Sequence, residues 1–159
     1  MTISVGDKLP QATLTKVTPD GPDQVDTASY FAGKTVALFA VPGAYTPTCS
    51  AKHLPSFIDK AAELKARGVD EIACTSVNDA FVLGAWGKAN DAGEVTMLAD
   101  WDASFAQALG LTMDGSKFGL GTRSQRYAML VEDGVVKQLN VEAPGEYKVS
   151  SAEHMLEQM

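Results

Sequence analysis

The residue best suited to chemistry in this sequence is a cysteine that follows a buried strand. The run 34–41 (KTVALFAV) is nearly continuous in apolar residues and predicts that strand, and the segment 42–48 (PGAYTPT) predicts a loop. From Cys49 onward, apolar residues recur at helical spacing. The unpaired N–H groups and the dipole at a helix start favour an anion, so this position favours a thiolate over a thiol. Cys49 is therefore the candidate nucleophile.

The loop before Cys49 contains residue types that can prearrange one reactive group. Thr46 lies three residues earlier, and its hydroxyl can turn toward the thiolate or toward a substrate oxygen. Pro42 and Pro47 stiffen the segment, and Gly43 relaxes the backbone where it leaves the strand. Position alone favours an inert core cysteine, but this proline, glycine and threonine setting favours a reactive one.

Composition and charge narrow the function classes. The chain has 159 residues and a net charge of −7, which disfavours nucleic acids and anionic membranes as partners because both attract basic surfaces. The apolar runs fall short of the roughly 20 residues that a transmembrane helix needs, and the first residues do not resemble a secretory signal. We therefore expect one domain, residues 1–159, in the cytoplasm.

The elements that must position Cys49 follow the order β-α-β-α-β-α-β-β-α. Helical crossovers predict parallel strands, and the pair Asp133-Gly134 between two apolar runs predicts an antiparallel hairpin. This pattern predicts an α/β protein with a thioredoxin-like fold, in which a central mixed sheet carries helices on both faces. Function in open α/β sheets usually lies beyond the carboxyl ends of the strands, where Cys49 is found.

The sequence also predicts element boundaries. We expect Asp79 and Asp102 to cap helices, residues 111–124 to form a loop, and Ser150 with Glu153 to form a capping box. A helix is expected from Cys49 to residue 67, and strands are expected over 34–41, 71–77, 95–99, 125–131 and 135–141.

Several motifs, taken together, resemble a known family. The segment 42–50 (PGAYTPTCS) is similar to the P-G-A-[FY]-T-P-x-C-S signature of peroxiredoxins, in particular the atypical, Prx5-like branch that includes the plant type II enzymes. Further matches follow in the family's order and cover essentially the whole chain: 52–57 (KHLPSF), 76–79 (SVND), 85–86 (AW), 119–121 (GLG) and 123–127 (RSQRY).

The resemblance implies a role for each matching residue. Cys49 would be the peroxidatic nucleophile, Thr46 would hydrogen-bond the peroxide, Pro42 would shield the thiolate, and Arg126 would lie beside the cysteine. The implied reaction is reduction of hydrogen peroxide and alkyl hydroperoxides through a Cys49 sulfenic acid, without metal, flavin or haem. Enzymes of this branch often pair through loops around the active site, which implies a homodimer. Gly43, Tyr45 and Phe118 are candidates to line the pocket, and the two aromatic residues could equally form a subunit contact.

Cys74 is the second cysteine, and two interpretations of it stay open. It lies in a predicted buried strand, in a position like that of the second cysteine of plant type II enzymes. A small core residue is the favoured interpretation, and a resolving thiol is the alternative. The late cysteine that many Prx5-like enzymes use is absent from 146–151 (EYKVSS). We therefore expect an external reductant: glutathione with glutaredoxin, or thioredoxin.

Two other functions are compatible with a reactive cysteine at position 49, a redox regulator and a cysteine hydrolase. A peroxide-sensing regulator that acts through Cys49 oxidation is the main alternative. A cysteine hydrolase would need a His/Asp relay, and no third partner is evident for His53, which we expect on a polar surface or interface rather than as a base. Arg123 is expected to support the pocket or pair with acidic residues.

Overall fold

The computed structural model describes residues 2–159 and gathers most of its strands into one sheet. The strands are β1 Thr13–Thr18, β2 Gly21–Asp26, β3 Thr35–Ala40, β4 Glu71–Ser76, β5 Val95–Ala99, β6 Thr112–Asp114, β7 Thr122–Ser124, β8 Tyr127–Glu132 and β9 Val135–Val141. Seven of them form a sheet in the order β2-β1-β5-β4-β3-β8-β9, and β6 pairs with β7.

The central sheet is mixed, as predicted. Strands β3, β4 and β5 are parallel neighbours, whereas β8 runs antiparallel to β3 and β9 antiparallel to β8. The β8–β9 turn contains Asp133 (φ 49°) and Gly134 (φ 78°), the left-handed pair that a tight hairpin turn requires. The register aligns Ala40, at the end of β3, with Tyr127, at the start of β8. These two strand ends therefore meet at one edge of the sheet.

Helices cover both faces of the sheet, which confirms the predicted fold class. Alternate residues of β3 point to opposite faces, so Ala37 and Phe39 join one apolar cluster and Val36 and Leu38 the other. The helices are α1 Thr27–Phe31, α2 Leu54–Asp59, α3 Ala61–Ala66, α4 Ala80–Ala89, α5 Ser104–Leu109 and α6 Ala152–Glu157. The first cluster contains side chains of α2, α3, α4 and α6, and the second those of α1 and α5. Within residues 2–159, none of them is long and apolar enough to cross a membrane.

The single helix predicted from Cys49 is divided into three parts. Residues Cys49–His53 form a π-helical turn in which the Leu54 N–H donates to the Cys49 carbonyl, and α2 begins directly after it. Pro55 occupies the first turn of α2, where its missing N–H is tolerated. Lys60 then interrupts the helix before α3. The π turn places Cys49 at the start of the helical segment, just beyond β3.

Two predicted caps are wrong because neighbouring side chains take their place. Asp100, not Asp102, accepts the N–H groups of Phe105 and Ala106 at 3.0 and 2.9 Å, while Asp102 reaches only the N–H of Ser104. Asp100 directly follows β5, and its backbone N–H donates to the Ser76 carbonyl at 3.0 Å, which fixes its carboxylate beside the first turn of α5.

The same shift occurs at α6, and one predicted loop contains a small hairpin. Ser151 rather than Ser150 caps α6, accepting the N–H of His154 at 3.1 Å. The Ser150 hydroxyl instead donates to Glu142. Residues 111–124 include the β6–β7 pair, whose three-residue strands are too short for a periodic sequence signal.

Candidate active site

Two hydrogen-bond donors converge on the sulfur of Cys49. The cysteine is fully buried, and its Sγ lies 2.8 Å from Thr46 Oγ1 and 3.0 Å from Arg126 Nη2. Arg126 is 77 residues away in the chain. It reaches the site because it immediately precedes β8, whose first residue is the neighbour of the last residue of β3. A cationic guanidinium at this distance favours a thiolate and stabilises negative charge in its vicinity.

The loop between β3 and Cys49 holds the Thr46 hydroxyl in place. Thr46 Oγ1 lies 2.7 Å from the Gly43 carbonyl as well as 2.8 Å from the cysteine sulfur. A hydroxyl has one proton, so Thr46 donates to one of these acceptors at a time. Gly43 is buried, and a Cβ there would lie 3.3 Å from the Thr46 methyl group. The absence of a side chain at Gly43 therefore leaves room for Thr46.

The other predicted pocket residues lie around this loop with different exposures. Pro42 is partly buried at the end of β3. The Tyr45 side chain is 57% exposed, and its backbone is in the left-handed region at φ 67°. Phe118, in the 3₁₀ turn Ser116–Phe118, is 79% exposed. Both aromatic side chains face solvent in the single chain.

Arg123 and Asn78 connect the loops around the site. Arg123 donates from Nη1 to the Val77 carbonyl at 2.8 Å and from Nε to the Leu120 carbonyl at 2.9 Å. Asn78 Oδ1 accepts the N–H of Ala44 at 3.0 Å. The loop 42–48, the end of β4 and the loop 115–121 are thereby fixed to one another. Arg123 supports these loops through carbonyl groups and pairs with no acidic residue in the part of the chain described.

His53 is part of the site, contrary to its predicted position on a polar surface or interface. It is fully buried, not on a surface, and its Nδ1 lies 2.9 Å from Arg126 Nη1. Its Nε2 lies 2.8 Å from the Ser150 carbonyl. A carbonyl only accepts and a guanidinium only donates, so the imidazole is neutral with its proton on Nε2. The available signal was its spacing of four residues from Cys49.

The environment of His53 favours this neutral form. Burial, followed by the positive charge of Arg126, lowers the pKa of His53 from 6.5 to about 3. The rings of Phe39, Phe57 and Tyr147 surround the imidazole at centroid distances of 4.9, 5.8 and 5.4 Å. With both nitrogens engaged, His53 orients Arg126 and is not placed to remove a proton from Cys49.

Cys74 lies in the core rather than on an accessible surface. It is fully buried on β4, in register with Phe39, and belongs to the same apolar cluster as Cys49. Burial, then the charge of Cys49, raises the pKa of the Cys74 thiol well above its usual value. Both cysteines are free thiols. Because a thiolate is the reactive form, a protonated Cys74 is a poor nucleophile.

Trp86 offers an optical probe of this region. The side chain is fully buried in α4, and its Nε1–H donates to Ser50 Oγ at 2.9 Å. Ser50 is the residue directly after Cys49. A rearrangement of the π turn would therefore change the surroundings of the Trp86 indole.

Comparisons with known proteins agree with this geometry. Residues 4–156 match the family model described as Redoxin. The chain is 56% identical to peroxiredoxin-2E-2, chloroplastic, of Oryza sativa subsp. japonica over 98% of this chain and 72% of that protein. It is 51% identical to peroxiredoxin-2B of Arabidopsis thaliana, covering 97% and 96% of the two chains. Reduced Prx3 from Vibrio vulnificus in complex with H₂O₂ is 57% identical, with a TM-score of 0.96 and 99% of each chain covered. The chain thus belongs to the redoxin family and, within it, to the peroxiredoxins, which are thiol peroxidases.

Proposed function

We propose that the Cys49 thiolate attacks one oxygen of hydrogen peroxide or of a small alkyl hydroperoxide. The sulfur–oxygen bond forms as the oxygen–oxygen bond breaks, and the sulfur, oxidised by two electrons, becomes a sulfenic acid. The second oxygen leaves as hydroxide or alkoxide and takes a proton from water. The observation that carries this proposal is the convergence of Thr46 Oγ1 and Arg126 Nη2 on the Cys49 sulfur.

The two donors stabilise charge that moves during this step. Negative charge passes from the sulfur to the departing oxygen, and Arg126 stays within reach of both. Thr46 turns its one hydroxyl proton toward the peroxide, and the partly buried Pro42 shields the thiolate from water. Each preorganised donor is worth about 3 kcal/mol, or roughly 100-fold in rate.

The reductant in this proposal is an external thiol: glutathione with glutaredoxin, or thioredoxin. Cys74 supports this choice because it is fully buried within a paired strand, and its thiol is protonated. A disulfide with Cys49 would require the two Cα atoms to come within about 7 Å and both sulfurs to be free to approach. Cys49 is also buried, so its π turn has to open before a protein thiol reaches the sulfenic acid.

Intact mass spectrometry tests both the sulfenic acid intermediate and whether Cys74 resolves it. The reduced protein receives one equivalent of hydrogen peroxide without reductant, beside Cys49→Ser and Cys74→Ala. The expected result is rapid gain of one oxygen in the wild type and in Cys74→Ala, and no rapid gain in Cys49→Ser. Loss of two hydrogens within one chain, abolished in Cys74→Ala, would instead make Cys74 the resolving thiol. An unmodified wild-type protein would refute the proposed role of Cys49.

The proposal extends to the assembly and location of the protein. Tyr45 and Phe118 are 57% and 79% exposed and belong to the loops 42–48 and 115–121, which Arg123 and Asn78 connect to the end of β4. Exposed aromatic residues on the loops around a site are typical of an interaction surface, so we assign these two to a homodimer contact. Residues 1–159 form one domain in this proposal, although Met1 lies outside the described residues. A cytoplasmic location stays a prediction, and two of the relatives are named as chloroplastic.

A further inference from the structure

A buried carboxylate near the site takes no part in the chemical step. Glu142 directly follows β9, and only 6% of it is exposed. Its carboxylate accepts the backbone N–H groups of Lys148, Val149 and Ser150 at 2.8–2.9 Å and the Ser150 hydroxyl at 2.7 Å. Four donors on one side chain are enough to compensate for the cost of burying its charge. This carboxylate therefore fixes the segment 143–150 to the end of β9.

The segment that Glu142 fixes is the one that holds His53. The carbonyl of Ser150 accepts the His53 Nε2–H at 2.8 Å. The Tyr147 ring covers the imidazole at 5.4 Å between centroids, and the Tyr147 hydroxyl lies 3.4 Å from the Lys52 carbonyl. Residues between Glu142 and α6 thus supply the acceptor for the His53 Nε2–H and one of the three aromatic rings around the imidazole.

The contacts continue from His53 to the reacting sulfur and close into a ring. His53 Nδ1 accepts from Arg126 Nη1, and the other terminal nitrogen of Arg126 donates to Cys49 Sγ. The backbone N–H of Glu142 donates to the Arg126 carbonyl at 2.9 Å. Arg126 is consequently held at its backbone by Glu142 directly and at its side chain through Ser150 and His53.

From this ring we propose that Glu142 is a positioning residue for the peroxidase reaction, acting through Ser150 and His53 to hold Arg126 on the Cys49 sulfur. The inference rests on the proposed role of Arg126 in the chemical step. A neutral amide does not replace the carboxylate, because its NH₂ group would face backbone N–H donors. Glu142→Gln therefore loosens the Ser150 carbonyl, then the imidazole, and finally the guanidinium.

Peroxide reaction rates of matched variants test this chain of contacts. The second-order rate constant of Cys49 with hydrogen peroxide is followed by Trp86 fluorescence, and the thiolate absorbance at 240 nm is recorded at pH 6. We expect Glu142→Gln to lower the rate about 10-fold, a fraction of the roughly 100-fold loss for removal of a whole donor, and to lower the thiolate absorbance. Glu146→Gln removes the same charge from an exposed position in the same loop and serves as the control. A wild-type rate in Glu142→Gln would overturn the inference.

A double-mutant cycle separates positioning from general destabilisation. If Glu142 acts through His53, the variant Glu142→Gln/His53→Phe has the rate of His53→Phe alone. Rates that fall by the product of the two single effects would show that Glu142 acts by another route, and would overturn the inference. Ser150→Ala removes only the hydroxyl contact with Glu142 and provides an independent test if Glu142→Gln does not fold. We expect it to lose about 2-fold in rate, a small share of one donor's effect, and an unchanged rate would contradict the proposal.

Arg126→Ala distinguishes failure of this inference from failure of the proposed function. A wild-type rate in Arg126→Ala would refute the role of Arg126 itself. A large loss in Arg126→Ala together with no loss in Glu142→Gln would leave the chemical proposal intact and refute only the positioning role.

Discussion

At the scale of the residue, the proposed reactivity of Cys49 depends on the groups that contact its sulfur. Thr46 and Arg126 supply two directed donors, one neutral and one cationic. The Thr46 hydroxyl lies within reach of both the sulfur and the Gly43 carbonyl, and in the proposed reaction its one proton is redirected to a substrate oxygen. The proposed reaction therefore depends on one hydroxyl that a conservative substitution can remove or retain.

Replacement of Thr46 separates the hydroxyl from the shape of the side chain. Thr46→Val keeps the branched shape and removes the donor, and we expect a loss of roughly 100-fold in the rate of Cys49 oxidation. Thr46→Ser retains the donor and should stay within a few-fold of the wild type. Stopped-flow fluorescence with hydrogen peroxide measures both. Equal rates for Val and Ser at this position would argue against a role for the hydroxyl.

The buried neutral His53 predicts how stability depends on pH. Its pKa is about 3 in the folded protein against 6.5 when unperturbed, so the unfolded chain binds the proton first as the pH falls. The stabilisation is fully present above pH 6.5 and is lost as the pH falls toward 3. Between pH 7 and pH 5 the free energy of unfolding should decrease by about 2 kcal/mol from this residue.

Urea unfolding at the two pH values measures this contribution. His53→Gln should remove it and flatten the pH dependence, whereas His154→Gln, on the terminal helix, is the matched control for loss of an imidazole. A pH dependence that is the same in His53→Gln and in the wild type would contradict the buried neutral assignment.

At the scale of the element, the loop 42–48 and the π turn together position the Cys49 sulfur. The loop leaves β3 at its carboxyl end, and Ser50 N–H donates back to the Thr46 carbonyl at 3.0 Å. Asn78, from the end of the neighbouring strand β4, fixes Ala44. Close backbone packing therefore sets the positions of the hydrogen-bond donors, and an added methyl group would displace them.

Gly43→Ala tests this packing. The new Cβ would lie 3.3 Å from the Thr46 methyl group and 3.5 Å from Arg123 Nη1, so Thr46 has to move by a few tenths of an ångström. We expect about a 10-fold loss of peroxidase rate, part of the roughly 100-fold that the donor contributes, with little change in thermal stability. Gly93→Ala is the control because nothing lies within 4 Å of its Cβ. Wild-type activity in Gly43→Ala would show that the loop tolerates the displacement.

At the scale of the whole molecule, the exposed aromatic residues Tyr45 and Phe118 on the loops around the site predict self-association. Phe118→Ser should raise the dimer dissociation constant about 10-fold or more, because burying a phenylalanine contributes about 1.5–3 kcal/mol. Val5→Ser is the control, since Val5 is 60% exposed and lies near the chain start, in a segment that neither Arg123 nor Asn78 fixes. Sedimentation velocity over a concentration series measures the equilibrium. A wild-type protein that sediments as a monomer at every concentration would refute the assignment.

The sequence by itself determined the features that depend on neighbouring residues. Val95–Ala99 and Val135–Val141 were predicted to the residue because apolar runs between turn signals are local information. The motif around Cys49 likewise predicts the nucleophile and the peroxidase chemistry that we propose for it. The sequence did not specify which side chain caps two of the helices. Asp100 and Ser151, rather than Asp102 and Ser150, accept the first-turn N–H groups, because several acceptors lie near each helix start.

The family resemblance implied Arg126 beside the cysteine, but only the tertiary structure decided how distant groups are arranged around the sulfur. Arg126 meets Cys49 across 77 residues, and His53 meets Ser150 across 97, because β8 and β9 pair beside β3. Glu142 lies only eight residues from Ser150, yet its burial depends on the same sheet edge. Strand order places these groups together, and periodicity within one segment carries no information about which strand becomes its neighbour. The proposed nucleophile is thus predicted by the local sequence, whereas the position of the Arg126 charge on its sulfur is a property of the fold.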